Sequence, residues 1–217
     1  MLFRDRADAG QHLATQLTAY AGNPDVLVLG LPRGGVPVAF QVAQILRVPL
    51  DIFVVRKLGV PGQEELAMGA IASGHVRVLN REIIRALKIS ETAIDAVTEK
   101  ELPELERREH QYRDDRPFPT IRDKTVILVD DGLATGSSMR AAVRAVQAHN
   151  PSRLIVAVPV AAQETCDAFV NLVDQVVCGR TPDPFFAVGA WYHDFSQTTD
   201  EEVRHLLQLA WQAPVSR

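Results

Sequence analysis

The sequence predicts an α/β protein, a mostly parallel sheet with helices on both faces. Two observations carry that reading. Short continuous apolar runs alternate along the chain with stretches whose apolar residues recur at helical spacing. Continuous rather than alternating apolar runs are what strands buried on both faces require. Composition agrees: with 217 residues, 47% hydrophobic and 23% charged, the chain is neither disordered nor collagen-like. That length favours a single domain, residues 1–217, carrying an insertion, and can bury a core without metal or disulfide staples.

The elements follow in order. Ala7 to Tyr20 carries Leu13, Leu17 and Tyr20 at helical spacing and ends before the turn signal Gly22-Asn-Pro24. Asp25 to Gly30 is a buried strand, Val36 to Arg47 a helix with Pro37 in its first turn, and Asp51 to Val55 a second buried strand. Ala67 to Ser73 and Val76 to Asn80 read as two short strands joined at Ser73-Gly74. Residues 81–116 form a charged helical insertion in which Pro103 starts a new helix, and its dense mixed charge is that of a solvated face. Then come a strand at Thr125 to Val129, a helix at Ser138 to His149, a strand at Arg153 to Val158, a helix at Ala161 to Val170 and a strand at Asp174 to Cys178. A last helix runs to Trp211 with Asp200 as its N-cap.

Charge and cysteine usage exclude several classes. Lys plus Arg is 23 against 27 for Asp plus Glu, a net charge of −4, whereas a binder of nucleic-acid backbones needs a basic surplus. The N-terminus is charged where a signal peptide is apolar, and the longest apolar run, Leu154 to Ala162, is about half a membrane span. Cys166 and Cys178 have no metal-type spacing and are expected to be reduced and buried in a cytoplasmic protein.

Ligands of open parallel sheets sit beyond the carboxyl ends of the strands, so three strand ends are read together. In Val126-Ile-Leu-Val-Asp-Asp-Gly-Leu-Ala-Thr-Gly-Ser-Ser138 a strand passes through small residues into a helix. Gly132, Gly136 and the small Ala134, Ser137 and Ser138 let backbone amides point inward at the start of a helix, which with the positive helix end makes an anion site, and the Thr135, Ser137 and Ser138 hydroxyls add donors. Asp130 and Asp131 stand just before it, and carboxylates repel phosphate. One ligand bearing a phosphate at one end and hydroxyls a few ångströms away resolves the conflict, and a ribose 5-phosphate has that layout. If the ribose also carries an anionic leaving group, the acids stabilise positive charge developing at its anomeric carbon.

The segment resembles the phosphoribosyl pyrophosphate loop of the type I phosphoribosyltransferases: a hydrophobic strand, two acids and a T-G-[ST]-[ST] ending. P-loop, dinucleotide and hydrolase-elbow motifs are absent, and no lysine follows Lys124, as a phospho-receiver would need. The resemblance implies the family fold with a small hood from the terminal segments. It also implies Mg²⁺ bound mainly through the substrate, with no protein metal site of its own.

The second strand end, Gly30-Leu-Pro-Arg-Gly-Gly-Val-Pro37, is either a plain turn or, as the resemblance implies, a pyrophosphate loop with Arg33, Gly34 and Gly35. The third is Arg56-Lys57-Leu-Gly-Val-Pro-Gly62, where Lys57 is either a second cation for pyrophosphate or a solvated lysine. The resemblance puts a mobile closing loop at Gly59 to Glu65; Glu64 and Glu65 either meet the incoming nucleophile or are solvated.

The acceptor side is Pro182 to Phe195, with five aromatics (Phe185, Phe186, Trp191, Tyr192, Phe195) in a chain that is 6% aromatic. They either stack on a flat heterocycle or close the end of the sheet. The segment is similar to the purine-contacting stretch of hypoxanthine-guanine phosphoribosyltransferases, with Phe186 at the stacking position and Val188 beside it. Ala134 replaces the Asp of the oxopurine enzymes, so no particular base follows. The whole chain looks most like the group of predicted phosphoribosyltransferases of unassigned acceptor.

The expected activity is transfer of phosphoribosyl to a nitrogen nucleophile. Asp130, Asp131, Lys57 and Arg33 are the expected catalytic set; Gly34, Gly35, Ala134 to Ser138, Phe186 and Val188 bind substrate. The expected partners are phosphoribosyl pyrophosphate and a small-molecule acceptor, with neither nucleic acid nor membrane; homodimers are common in the family. The alternatives are a sensor of phosphoribosyl pyrophosphate or a nucleotide, with 81–116 as its partner surface, and a site for any sugar phosphate.

Overall fold

The computed structural model describes residues 2–114 and 116–212, so the ends of the expected 1–217 domain and position 115 lie outside it. Its main sheet has five parallel strands in the order β2-β1-β6-β7-β8: β1 Val26–Gly30, β2 Leu50–Ile52, β6 Thr125–Val129, β7 Arg153–Val160 and β8 Gln175–Arg180. Burial on both faces is what the continuous apolar runs anticipate. Val26, Val28, Ile127, Val129, Ile155 and Ala157 enter one core with α1 (Arg6–Thr15), α2 (Gly35–Leu46) and α7 (Asp200–Gln212). The alternate residues Leu27, Leu29, Val126, Leu128, Leu154 and Val156 enter a second core with α5 (Ser137–Ala148).

The run 51–55 does not form one strand. It leaves the main sheet after Ile52, and β3 (Val55–Val60) pairs instead with β4 (Gln63–Ala72), which in turn pairs with β5 (Val76–Leu79), in a separate antiparallel sheet. Lys57 therefore lies within a strand rather than in a loop beyond the main sheet. The expected mobile loop is the β3–β4 hairpin, which turns at Pro61-Gly62.

The insertion is α3 (Arg81–Ala86) and α4 (Glu91–Arg113), and α4 runs straight through Pro103. Pro103 lies on the exposed face, while buried Ile94, Leu105 and Tyr112 hold the helix to the core on either side of it. The C-terminal end is anchored by Arg113, which is buried and donates to Asp51 Oδ1 at 2.8 Å, Glu109 Oε1 at 2.7 Å and the Ile52 carbonyl at 2.6 Å.

Three further expectations are corrected. Cys166 and Cys178 are not reduced but joined as a disulfide, their Cα atoms 6.6 Å apart. The helix after β7 is only α6, Gln163–Asp167. Thr199, not Asp200, caps α7, its hydroxyl accepting from the Glu202 amide at 3.1 Å.

The segments around Phe3 and Tyr192 meet, as expected of a hood. Phe3 pairs with Tyr192, its amide donating to the Trp191 carbonyl at 2.9 Å, and Phe3, Ala9, Val160 and Tyr192 form a small third core.

Candidate functional site

The loops after β1 and β6 run side by side at the carboxyl edge of the sheet. Leu31 donates its amide to the Val129 carbonyl at 2.9 Å, and the glycines after it press on the acidic pair. A Cβ on Gly34 would stand 2.0 Å from Asp131 Oδ2, and one on Gly35 would stand 2.8 Å from the Val129 carbonyl oxygen and 2.9 Å from Asp130 Cα. Close approach, not an unusual torsion, is what demands glycine here; Gly34 itself is αR. Gly35→Ala must move main chain, and we expect it to cost about 1–3 kcal/mol, read as a lower thermal midpoint together with weakened ligand binding.

Beyond the acids, the chain enters α5 through Gly136, whose φ of 71° suits glycine. Asp130, Gly132 and the run Leu133 to Met139 enclose a concavity of about 110 Å³. The start of α5 carries no acidic residue, and the Thr135 and Ser137 hydroxyls lie 3.0 Å apart at its mouth. The loop is braced from behind, where Thr165 Oγ1 donates to the Ala134 carbonyl at 3.0 Å and the Leu133 amide donates to the Val160 carbonyl at 3.0 Å. The expected nest, Ala134 to Ser138, is thus gathered around one anion-sized hollow.

The acidic pair is electrostatically loaded. Asp130 is held well above the usual carboxylate range, first by burial and second by the neighbouring charge of Asp131. Its Oδ1 accepts the Asp131 amide at 2.9 Å. Asp131 is also raised by burial, with Arg6 opposing that shift through a hydrogen bond to Oδ2 at 2.8 Å. Sequence reasoning missed Arg6: it lies 125 residues from its partner, and no local pattern signals the contact.

Arg33 is at the second strand end, following a cis Pro32–Arg33 peptide. Its Nη1 lies 3.9 Å from Asp200 Oδ1. Asp200 also accepts the Tyr112 hydroxyl of α4 at 2.6 Å, and that bond is the main cause of its lowered pKa. Lys57 is not brought to the acids. It pairs with Glu65 at 3.2 Å and, with Arg56, Glu64, Lys100 and Glu101, lines a separate groove of about 490 Å³ between the hairpin and α4. Arg56 and Glu101 form an ion pair across that groove.

The aromatic cluster divides. Phe185 and Trp191 pack against the hood core, and Tyr192, buried, donates its hydroxyl to the Asp131 carbonyl at 2.6 Å. Phe195 lies under the Arg6 guanidinium, 4.0 Å from its ring centroid. Phe186 is left 84% exposed. Val188 touches the acidic loop, since a Cβ on Gly132 would meet its Cγ1 at 2.5 Å.

Among the described residues no three His, Cys, Asp or Glu side chains converge as a metal site, and no helix is long and apolar enough to cross a membrane. The two adjacent carboxylates do suit Mg²⁺, which is held through one or two carboxylates plus substrate phosphates rather than by a protein cage.

A small-residue loop at a helix start, beside two part-buried acids on the carboxyl edge of a parallel sheet, makes this an α/β protein with its candidate site where such sheets carry theirs. The chain belongs to the family described as the phosphoribosyl transferase domain, which matches residues 3–189. It is 47% identical over 209 residues, 96% of its length, to a Mycobacterium tuberculosis H37Rv protein that carries the provisional name phosphoribosyl transferase Rv0571c. A protein of strain CDC 1551 matches equally, and the chain spans about half (47%) of the length of these curated relatives. The crystal structure of TT1426 from Thermus thermophilus superposes with a TM-score of 0.86 at 42% identity, covering 95% of this chain and 98% of that one.

Proposed function

We propose that the protein transfers the 5-phosphoribosyl group of phosphoribosyl pyrophosphate to a nitrogen of a small heterocyclic acceptor. The C1–O bond to pyrophosphate breaks with its electron pair staying on pyrophosphate, a C1–N bond forms, and the acceptor nitrogen's proton passes to the released pyrophosphate or to solvent. One observation carries the reading: the hollow at Ala134–Ser138, the acids, and the Gly34-Gly35 loop are contiguous, the loop's glycines seated directly on the carboxylates. That is the order of phosphate, hydroxyls and pyrophosphate along the donor.

In this reading, residues 134–138 hold the 5-phosphate, Asp130 and Asp131 accept from the ribose hydroxyls, and Arg33 with the Gly34 and Gly35 backbone takes pyrophosphate. A Mg²⁺ ion arriving with the donor would supply positive charge against the leaving pyrophosphate, and Asp130 and Asp131 are the carboxylates that would hold it, largely through water. Lys57 is the second pyrophosphate cation, carried on the hairpin. Its present partner, Glu65, is a fully exposed carboxylate, so the pair is screened by water and readily given up. The acids are part-buried, which supports the reading, because polar groups fixed in a site poor in water act more strongly on the ribose ring than they would in water. A multiply charged donor does not cross a bilayer, so the reading goes with a cytoplasmic location. It also takes residues 1–217 as one domain bearing 81–116 as an insertion.

Phe186 and Val188 form the acceptor side. Because Phe186 is already exposed, Phe186→Ala should leave the thermal midpoint unchanged and raise the acceptor KM, with donor binding unaffected. The function itself is tested by titration calorimetry with phosphoribosyl pyrophosphate, with and without Mg²⁺, followed by a screen of nucleobases for pyrophosphate release. Mg²⁺-dependent binding with release is the expected result. Binding without release from any acceptor would make the protein a sensor, and no binding would end both readings.

A further inference from the structure

Arg6 has no part in the mechanism above, yet it stands where three parts of the site meet. Its Nε donates to Asp131 Oδ2 at 2.8 Å, and its Nη1 donates to the Ser196 carbonyl at 2.7 Å. Its guanidinium lies on the Phe195 ring, and a Cβ on Gly34 would come within 3.2 Å of Nε. The head of a side chain from α1 is therefore gripped by the acidic loop, the pyrophosphate-side loop and the C-terminal hood. Its side chain is only 12% exposed, far below a surface arginine, so this pairing is not the weak, screened kind.

Asp131 is held a second time from the same hood. The Tyr192 hydroxyl takes its main-chain oxygen at 2.6 Å, and the pairing of Phe3 with Tyr192 ties together the two segments that supply these partners. Side chain and main chain of one acid are thus fixed by Arg6 and Tyr192, two residues far apart in the chain. Asp130 is oriented differently, by the amide of its own neighbour.

We propose that Arg6, supported by Tyr192, is a positioning residue for the acidic pair. It claims Oδ2 of Asp131 and so presents Oδ1 to a ribose hydroxyl. An aspartate carboxylate otherwise turns freely about its last torsion, and a charge-assisted bond in a part-buried site removes that freedom. The inference rests on the donor reading above, because it needs the ribose at Asp131. It makes the N-terminal segment part of the binding machinery rather than a cover for it.

The test uses two probes on the full chain in Mg²⁺: phosphoribosyl pyrophosphate, and inorganic pyrophosphate, which lacks the ribose. In Arg6→Gln, affinity for phosphoribosyl pyrophosphate should fall about tenfold or more, the scale of one charge-assisted hydrogen bond, while pyrophosphate affinity stays within about twofold. Arg6→Lys keeps the charge but not the fork that spans Asp131 and Ser196, so it should show a smaller loss of the same selective kind. Equal weakening of both probes, with a lowered thermal midpoint, would reduce Arg6 to a structural residue. Unchanged affinity for the donor would overturn the proposal outright. If Arg6→Gln does not fold, the same criteria apply to Arg6→Lys. Failure of the wild type to bind phosphoribosyl pyrophosphate sinks the donor reading, and the inference with it; a wild type that binds while Arg6→Gln binds equally sinks the inference alone.

Discussion

Asn in place of Asp130 or Asp131 is expected to lower phosphoribosyl transfer by about a hundredfold or more, the scale set by removing one group that stabilises developing charge. Stability should move the other way for Asp130. Burial and the adjacent Asp131 raise its pKa, so the folded protein holds that proton more tightly than the unfolded chain does. Ionising Asp130 therefore costs folding free energy, and stability falls as pH rises from the ordinary carboxylate range through the raised pKa. Asparagine never ionises. In metal-free buffer, Asp130→Asn should melt above wild type at neutral pH, and the gap should close as pH drops toward about 4. A variant that melts higher and turns over far more slowly identifies an acid kept for chemistry; equal loss of both would point to a structural role. Steady-state rates and thermal melts across pH decide between them.

Arg113→Met carries the largest expected loss of stability. The arginine is buried with Asp51, and removing it leaves that carboxylate without its cation, at about 3–5 kcal/mol for a broken buried pair. For a chain of this size that corresponds to roughly 10 °C or more in thermal midpoint. Yet burial already raises the Asp51 pKa despite the pair, so the attraction does not fully offset the cost of burying the charge. Replacing both partners, Asp51→Leu with Arg113→Met, should consequently recover much of the loss. Because Arg113 ties the end of α4 to the edge strand β2, Arg113→Met should also free the insertion, seen as faster amide exchange along α4. A double variant no better than the single one would show that the ion pair itself is worth its burial.

The readable parts of this site are those built from neighbours in the chain. The nest at Ala134–Ser138 needs only small residues, hydroxyls and a helix start in succession, and all are written in one segment. Gly34 and Gly35 were legible as glycines but not for their reason, which is contact with acids nearly a hundred residues later. That Lys57 sits within a strand is not legible, because an apolar run looks the same whether a strand continues or changes sheets, and the chain changes sheets after Ile52. Pro103 was read by a local rule that packing of Ile94, Leu105 and Tyr112 overrides. The two cysteines, twelve residues apart, gave no sign that α6 and β8 bring them within bonding reach.

Apart from β3 and the break expected at Pro103, the succession of strands and helices, the two-faced burial of the main sheet and the small-residue loop before α5 follow from the sequence by itself. Backbone hydrogen bonds and side-chain periodicity act over a few residues, and the pattern of apolar positions records them directly. Only the tertiary structure decided that Arg6 meets Asp131, that the Tyr192 hydroxyl donates to the Asp131 carbonyl, and that Phe186 stays exposed. Those contacts join residues up to 125 positions apart. An ion pair or a stacked ring depends on how elements pack, and packing is a property of the whole core that no local spacing encodes.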